Sequence, residues 1–512
     1  MTTHVKSKEH GKPSWNKVVL LTLTLILTLI TWACTQCVTG VTRMELVGFD
    51  PSETYFQHEH VPLDQVYLRI AFDDQSEHQK YLHDPAIVVR GSILPDLSLD
   101  TENVGENFVV HIYYAGFSYH IYYDVISPGI IVRSGESIQA AINASEPGDV
   151  ILVEAGIYEE TLLIPVEKTG ITLRSLSGVE ETIVKNVDVE VEPVTLRIQA
   201  NDVTVEGFTF TKDGEKSHQD EVGILLEGVE GVFIKGNRLT GFLDNNVHSG
   251  AIKFNAASNN TVIDNLFQDN LVAIYLNKQL SIEETYSSNN LIENNVIKVL
   301  SYGIFIRTGV LGETKLNVIS FNTFTGSAGG TAIHLDGDGQ FIENIVRDND
   351  FAEVTTAIDF SHSVAEPENR NFSNNEIVGN RFSHCDTGVL IFDVKGLNNK
   401  ISGNQFLDNN FAGIILAGSV FGSFSIENNA FFDNKTGVSI FADIDEELFE
   451  LSRNLFTLNE TPLSFASDSI LDANFNYWGS PNDPQDKINI DQGTVVIDTW
   501  YIDEDLTTTN QD

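Results

Sequence analysis

The chain has 512 residues, enough for more than one domain. Thirty Lys and Arg against 73 Asp and Glu give a formal net charge of −43, a surface that repels nucleic acid and anionic lipid headgroups and attracts polyanionic glycans only through divalent cations. Its three cysteines, Cys34, Cys37 and Cys385, exclude a disulfide framework.

Residues 1–40 form a signal or lipid-anchor segment. Lys6, Lys8, Lys12 and Lys17 precede an apolar run from Val18 to Ala33, a basic region followed by a hydrophobic one that is short for a spanning helix. Ala33-Cys34 resembles a bacterial lipoprotein cleavage site, although Thr31 stands where Leu is usual and Trp32 is bulky. The resemblance implies lipidation of Cys34. The expectation is an extracytoplasmic protein at a bacterial cell surface, touching membrane only through this anchor, with simple secretion or an uncleaved anchor as alternatives.

Residues 41–126 have another texture. Gln65-Val-Tyr-Leu-Arg-Ile-Ala-Phe-Asp-Asp74 alternates like a half-buried strand, and an Asp-Thr-Glu-Asn-Val-Gly turn at 100–105 leads into two tyrosine-rich strands over 108–116 and 119–125. This resembles a bacterial immunoglobulin-like β-sandwich, a family of spacers and weak adhesion units. Asp73-Asp74 reads as its turn.

Residues 127–500 open on a linker, Ser127-Pro-Gly129, and a helix over 134–143 with Ser134 as N-cap and Ile138, Ala141 and Ile142 on one face. An amphipathic helix here would cap the first of a series of coils. Pro147-Gly-Asp-Val-Ile-Leu-Val-Glu-Ala-Gly-Ile-Tyr158 follows as turn, strand, turn. An Asn-x-apolar phrase then recurs at Asn237, Asn265, Asn295, Asn322, Asn349, Asn380, Asn404, Asn429, Asn454 and Asn476, with Phe two positions later in seven copies. Between copies stands a short strand with apolar residues two apart, such as Val272-Ala-Ile-Tyr-Leu276 or Thr331-Ala-Ile-His-Leu335. A third short run precedes each Asn, as in Thr261-Val-Ile263.

Three short strands per repeat, Asn/Gly turns and no helical period predict an all-β fold: a right-handed parallel β-helix of about 10–13 coils. The Leu-rich consensus of leucine-rich repeats is absent. Coils about 4.8 Å apart stack like residues on like, so the Asn amides bond along the stack and the Phe rings fill the interior. Residues 501–512 read as a polar tail.

The run of helix, Gly-Asp-Val-Ile-Leu-Val, Gly-Ile-Tyr-x-Glu and repeated Asn-x-Phe coils resembles the parallel β-helix repeat proteins, which include NosD-like periplasmic proteins and carbohydrate-binding proteins and sugar hydrolases. Asn474-Phe-Asn-Tyr-Trp-Gly-Ser-Pro481 resembles the ending of many bacterial surface β-helices. The resemblance implies the fold; the same architecture hosts lyases, hydrolases, esterases, epimerases and plain binders. Gly-His-Gly and Arg-Ile-Lys of polygalacturonases, Asp-Pro-His-Asp of alginate epimerases and Arg-x-Pro-x-x-Arg of pectate lyases are missing from this sequence.

The repeat serves as a ruler. Insertions cluster after the Gly-Ile-x-Leu strand, so the loops over 278–290 and 362–375 should wall one face. On that strand the intervening residues point outward in two columns. One runs Lys253, Tyr275, Phe305, His334, Asp359, Leu390, Ile415, Ser439; the other runs Asn255, Asn277, Arg307, Asp336, Ser361, Phe392, Ala417, Phe441. The first reading is a polysaccharide-binding face, with Lys253, Asn255, Tyr275, Asn277, Phe305 and Ser361 as binding residues and the rings of Tyr275, Phe305 and Phe392 stacking on sugars; cover of the apolar strip by a loop or a partner is the alternative to stacking. The second is an enzyme with Asp336, Asp359, His334 and Arg307 as catalytic residues. Diagonal carboxylates about 7–8 Å apart suit an inverting glycoside hydrolase, and Arg307, Lys253 or His334 would serve a lyase. An ordinary ion-pair ladder is the structural alternative.

No cofactor is expected. Asp336 and Asp338 in Leu335-Asp-Gly-Asp-Gly339 are too few for the six to eight oxygens of Ca²⁺ without further ligands. Metal handling of the NosD kind is disfavoured by 2 Met, 3 Cys and 13 His without ligand spacing. Cys385, between His384 and Asp386, reads as a turn residue.

Overall fold

The structure is a computed structural model. It describes residues 41–49, 54–57, 60–72, 77–101, 103, 105–114, 117–126, 129–187, 193–212, 221–244, 249–277, 287–308, 313–326, 329–337, 339–361 and 371–511. The leader with Cys34 and Cys37, Asp73-Asp74, Asp338 and most of the two insertion loops lie outside these residues. The chain divides into two compact units, Met1–Ser127 and Pro128–Asp512.

In the first unit, Val41–Val47, Tyr67–Phe72 and Glu77–Tyr81 form an antiparallel sheet. Ile87–Gly91, Gly105–Tyr114 and Phe117–Ile126 form a second antiparallel sheet, extended in parallel by Thr54–Phe56. Alternation fixes which side chains meet: Leu68 and Ile70 of one sheet share a buried core with Val110, Ile112, Ile121 and Tyr123 of the other. The Tyr123 hydroxyl donates to the carbonyls of Ser92 and Asp100 at 2.7 and 2.9 Å, and burial pushes its pKa up to about 12.

The second unit is a parallel β-solenoid. Its helix spans Ile138–Ala144, shorter than the 134–143 expected, and its N-cap is Ser137 in place of Ser134. Glu160, the last residue of the Gly-Ile-Tyr-x-Glu motif, explains the later start. Its carboxylate accepts from the Ile138 and Gln139 amides at 2.7 and 3.3 Å, meeting the helix where its free N–H groups favour an anion. Ile138, Ala141 and Ile142 join the buried core that continues through Ile151 and Leu173.

Successive turns feed three long files of parallel strands, beside which Glu313–Lys315, Gln340–Ile342 and Asn371–Ser373 form a short parallel sheet. The front sheet runs from Leu162–Ile164 through Gly250–Asn255, Val272–Asn277, Tyr302–Thr308, Thr331–Gly337 and Thr356–Ser361 to the later coils. A 12-stranded sheet carries the Phe positions, from Gly156–Tyr158 to Leu455–Thr457. The third includes Thr261–Ile263, Leu291–Glu293 and Val318–Ser320. In the later coils the third and front sheets merge, because Thr387–Ser402 and Ala412–Glu427 run unbroken from one to the other. Residues 501–511 fold back, with Tyr501 bridged to Thr509 and the Trp500 amide donating to Asn510 Oδ1 at 2.9 Å.

The predicted stacks are present and continuous. Phe324, Phe351, Phe382, Phe406, Phe431 and Phe456 lie ring on ring with centroids 4.7–5.0 Å apart, and Trp478 ends the pile 4.9 Å from Phe456. In the Asn ladder, Asn349 shows the pattern. Its backbone N–H and its Nδ2 both donate to Asn380 Oδ1 at 2.9 and 3.0 Å, while its own Oδ1 accepts the same pair from Asn322. Nδ2 also donates to the carbonyls of Ile319 and Arg347 at 2.9 Å. A corner buries amides that no sheet can pair, and the side chain one turn away satisfies them.

Two further ladders flank the predicted one. Asn260, Asn290, Asn317, Asn344, Asn375 and Asn399 form the second. In the third, the Cys385 amide donates to Asn409, which is followed by Asn434 and Asn459. The members sit five positions before or after the predicted Asn, so the unit is three strand residues, one residue at positive φ and one Asn. The positive-φ residue need not be Gly: Leu316, Phe321, Glu343 and Arg453 all hold it, at φ 57, 55, 58 and 54°.

Candidate functional site on the front sheet

The register places the two outward columns as the alternation requires. Lys253, Tyr275, Phe305, His334, Asp359, Leu390, Ile415 and Ser439 are paired rung to rung. Asn255 pairs with Asn277, Asn277 with Arg307, and Arg307 with Asp336; above them Ser361 pairs with Phe392, Phe392 with Ala417 and Ala417 with Phe441.

Within this face the structure brings His334, Asp359 and Ser361 together. His334 Nδ1 lies 3.0 Å from Asp359 Oδ2, and the Ser361 hydroxyl donates to Asp359 Oδ1. With a partner on each oxygen, Asp359 is suited to orienting the imidazole rather than attacking or protonating a substrate itself. Fixing Nδ1 against a carboxylate directs Nε2 to proton transfer. The imidazole also packs on Tyr302 and Phe305, with ring centroids 5.1 and 5.2 Å away. Burial and the charges of Asp359 and then Asp336 raise the Tyr302 pKa, which sets both carboxylates about one phenol.

Tyr275 and Phe305 correct the sequence reading. Both point outward from the sheet, yet Tyr275 is 0% and Phe305 3% exposed. They pack edge to face at 5.4 Å in a small apolar cluster with Val272 and Tyr302, so neither ring is open to a sugar. The Arg307 guanidinium hydrogen-bonds the Tyr275 hydroxyl, and Lys253 Nζ sits 5.6 Å from the centre of its ring. Burial pushes the Tyr275 pKa up to about 12 against the lowering effect of Arg307. Strand alternation tells which side of a sheet a residue leaves by; it does not tell what packs on that side. Arg307 is thereby tied to a buried phenol, while Lys253, Asn255, Arg307, His334, Asp336, Asp359 and Ser361 keep partial exposure. The side chain of Asn277 lies outside the described residues.

The aromatic surface lies higher up. Phe392 and Phe441 are 38% and 48% exposed, with the small Ala417 between them. Cys385 is buried at a ladder corner, and burial pushes its thiol up to about 11, which removes the thiolate a nucleophile needs.

Among the described residues no three His, Cys, Asp or Glu side chains converge to hold a metal ion. Among the same residues no helix is long and apolar enough to cross a membrane.

Two family models match the solenoid. The one described as periplasmic copper-binding protein (NosD) covers residues 311–497, and the right-handed β-helix region covers residues 169–351. No curated protein matches the chain. Among solved structures, an alginate lyase from Paenibacillus sp. is 12% identical, with 62% of this chain and 99% of that one covered at a TM-score of 0.39. A mannuronic acid specific polysaccharide family 6 lyase from human gut microbiota is 14% identical, covering 64% and 86% at 0.42. A periplasmic alginate epimerase is 15% identical, covering 73% and 83% at 0.40. The chain is a parallel β-helix protein.

Proposed function

We propose that this chain is an exported cell-surface β-helix protein that binds polysaccharide along its front sheet, held to the membrane through lipid on Cys34 and spaced from it by an immunoglobulin-like module over residues 41–126. The observation that carries the binding reading is the set of partly exposed polar side chains in one outward column of the front sheet. Asn255, Arg307, Asp336 and Ser361 offer donors and acceptors in this column, with Arg307 and Asp336 on adjacent rungs about 4.8 Å apart, a step close to the length of one pyranose residue. A linear sugar chain lying along the solenoid axis passes these polar groups in turn, joined by His334 and Asp359 of the neighbouring column. Because the sheet is already folded, little ordering cost falls on binding.

A second reading draws on the His334–Asp359–Ser361 arrangement. Asp359, itself held by the Ser361 hydroxyl, holds one imidazole nitrogen and leaves the other to take or give a proton. In a lyase, His334 would abstract the proton next to a uronate carboxylate that Arg307 or Lys253 neutralises; in a hydrolase, Asp336 would supply the second acid–base group.

Incubating the purified chain with a glycan panel separates the two. Retention without new reducing ends or unsaturated uronate absorbance is the expected result. Turnover lost in His334→Ala and Asp336→Ala would establish the enzyme instead. Equal behaviour of wild type and the Arg307→Ala, Asp336→Ala and Lys253→Ala variants in both assays would reduce the face to an ion-pair ladder.

A further inference from the structure

The column that is polar from Asn255 to Ser361 turns aromatic one rung later, and the aromatic part has a spacing of its own. Phe392 and Phe441 are both exposed and separated by the rung of Ala417. They therefore stand two strand spacings apart, roughly 9.6 Å. An extended, equatorially linked pyranose chain is a flat two-fold ribbon in which every second residue turns the same ring face to one side, and its two-residue repeat is close to that distance. Axially linked chains coil and do not keep this phase.

The flank of the pair sets the charge of the occupant. Ser419 pairs with Asp443 in the next outward positions, and Asp393 beside Phe392 accepts from the Ser419 amide at 2.8 Å. Among the described residues that follow Phe392 on its strand, the first cation is Lys395, in register with Phe421 and away from the pair. Carboxylates and hydroxyls beside aromatic faces suit sugar hydroxyls and repel uronates, in keeping with the net charge of −43.

We propose that Phe392 and Phe441 form a stacking platform for an uncharged, equatorially linked hexopyranose chain, each ring taking alternate residues, with Ala417 leaving room for the residue between. This rests on the polysaccharide-binding reading and names its substrate class.

The test is calorimetric titration of the full chain with hexamers of β-1,4-linked glucose, β-1,4-linked mannose, α-1,4-linked glucose and β-1,4-linked mannuronate. The expected result is binding of a neutral β-linked hexamer in preference to the α-linked and the anionic ones. Phe392→Ala and Phe441→Ala should each weaken it roughly tenfold, and Phe392→Tyr should restore it, at unchanged melting temperature. A Phe392→Ala/Phe441→Ala double variant that binds like wild type overturns the platform. So does a preference for the α-linked or the mannuronate hexamer. Mannuronate binding that falls in Arg307→Ala but not in the Phe variants would leave the general polysaccharide reading standing and sink this one; no binding to any of the four hexamers, nor to the wider panel, sinks both.

Discussion

The corner ladders and the outer face of the front sheet are built from the same rungs, yet they obey opposite rules. At the corners and in the ring pile one residue recurs from turn to turn: Asn349 sees Asn322 on one side and Asn380 on the other, and Phe382 lies between Phe351 and Phe406. On the outer face the residue type changes from rung to rung, apart from Asn255 beside Asn277: Phe305, His334, Asp359 and Leu390 follow one another in one column. Repetition marks the positions that hold a solenoid together, because each must satisfy an identical partner above and below. Variation marks positions released from that demand and open to recognition.

The largest effects should therefore come from breaking repetition. Phe382→Ala removes a ring stacked on both faces in a fully buried pile, and a loss of about 4 kcal/mol is expected from cavity formation. Asn349→Ala strands the buried Asn322 amide and the carbonyls of Ile319 and Arg347, for a loss of about 3 kcal/mol. Urea denaturation measures both. Phe392→Ala, on the variable face, should stay within about 0.5 kcal/mol of wild type. A Phe392 variant as damaging as Phe382→Ala would erase the contrast.

A smaller effect sharpens the boundary between the two rules at Tyr275, which stands in a variable column but is buried. Its pKa is raised from 10.0 to about 12, so the folded state keeps a proton that the unfolded chain loses first. The stabilisation is complete below pH 10 and disappears as pH climbs through about 12, amounting to about 2.7 kcal/mol for that two-unit rise. Tyr123 and Tyr158, also near 12, contribute in the same window, so the readout is the difference between wild type and Tyr275→Phe. Denaturation at pH 9 and pH 12 should show the variant losing less stability over the interval. Equal losses would mean that solvent reaches the phenol and that Tyr275 belongs with the open face.

The same contrast explains what the sequence showed and what it hid. A parallel β-helix was legible because stacking converts a physical requirement into a repeated letter at Asn265, Asn295 and Asn322. The flanking ladders were missed although their letters are equally present at Asn260, Asn290 and Asn317. Their five-residue offset was visible, but nothing at the level of one strand says that three successive corners each bury an amide. Cys385 hid one rung of the third by breaking the letter while keeping the backbone hydrogen bond. The outward columns were legible by counting. The burial of Tyr275 and Phe305 was not, since it depends on what neighbouring rungs lay over them. The Glu160 contact that shortens the helix was likewise out of reach, because it joins residues 22 apart in sequence with no local pattern.

The smallest effect tests whether repetition is enforced by backbone geometry even where side chains vary. The residue before each ladder Asn sits at positive φ, and before the Asn260 ladder that position is Asn259, Asn289, Leu316, Glu343, Asn374 and Asn398. Leu316 is 43% exposed at φ 57°, a conformation that costs an ordinary L-residue about 1–2 kcal/mol and that Asn tolerates. Elsewhere in this column the Asn amides already join across rungs: Asn289 donates to Asn259, and Asn398 to Asn374 at 3.1 Å. Leu316→Asn would extend the first of these contacts by one turn while relieving the strain, at the cost of a half-exposed apolar side chain. The expected net gain is about 1 kcal/mol in urea denaturation. A loss of stability in this variant would show that Leu316 is kept for packing, and that the corner geometry imposes less strain than its backbone angle implies.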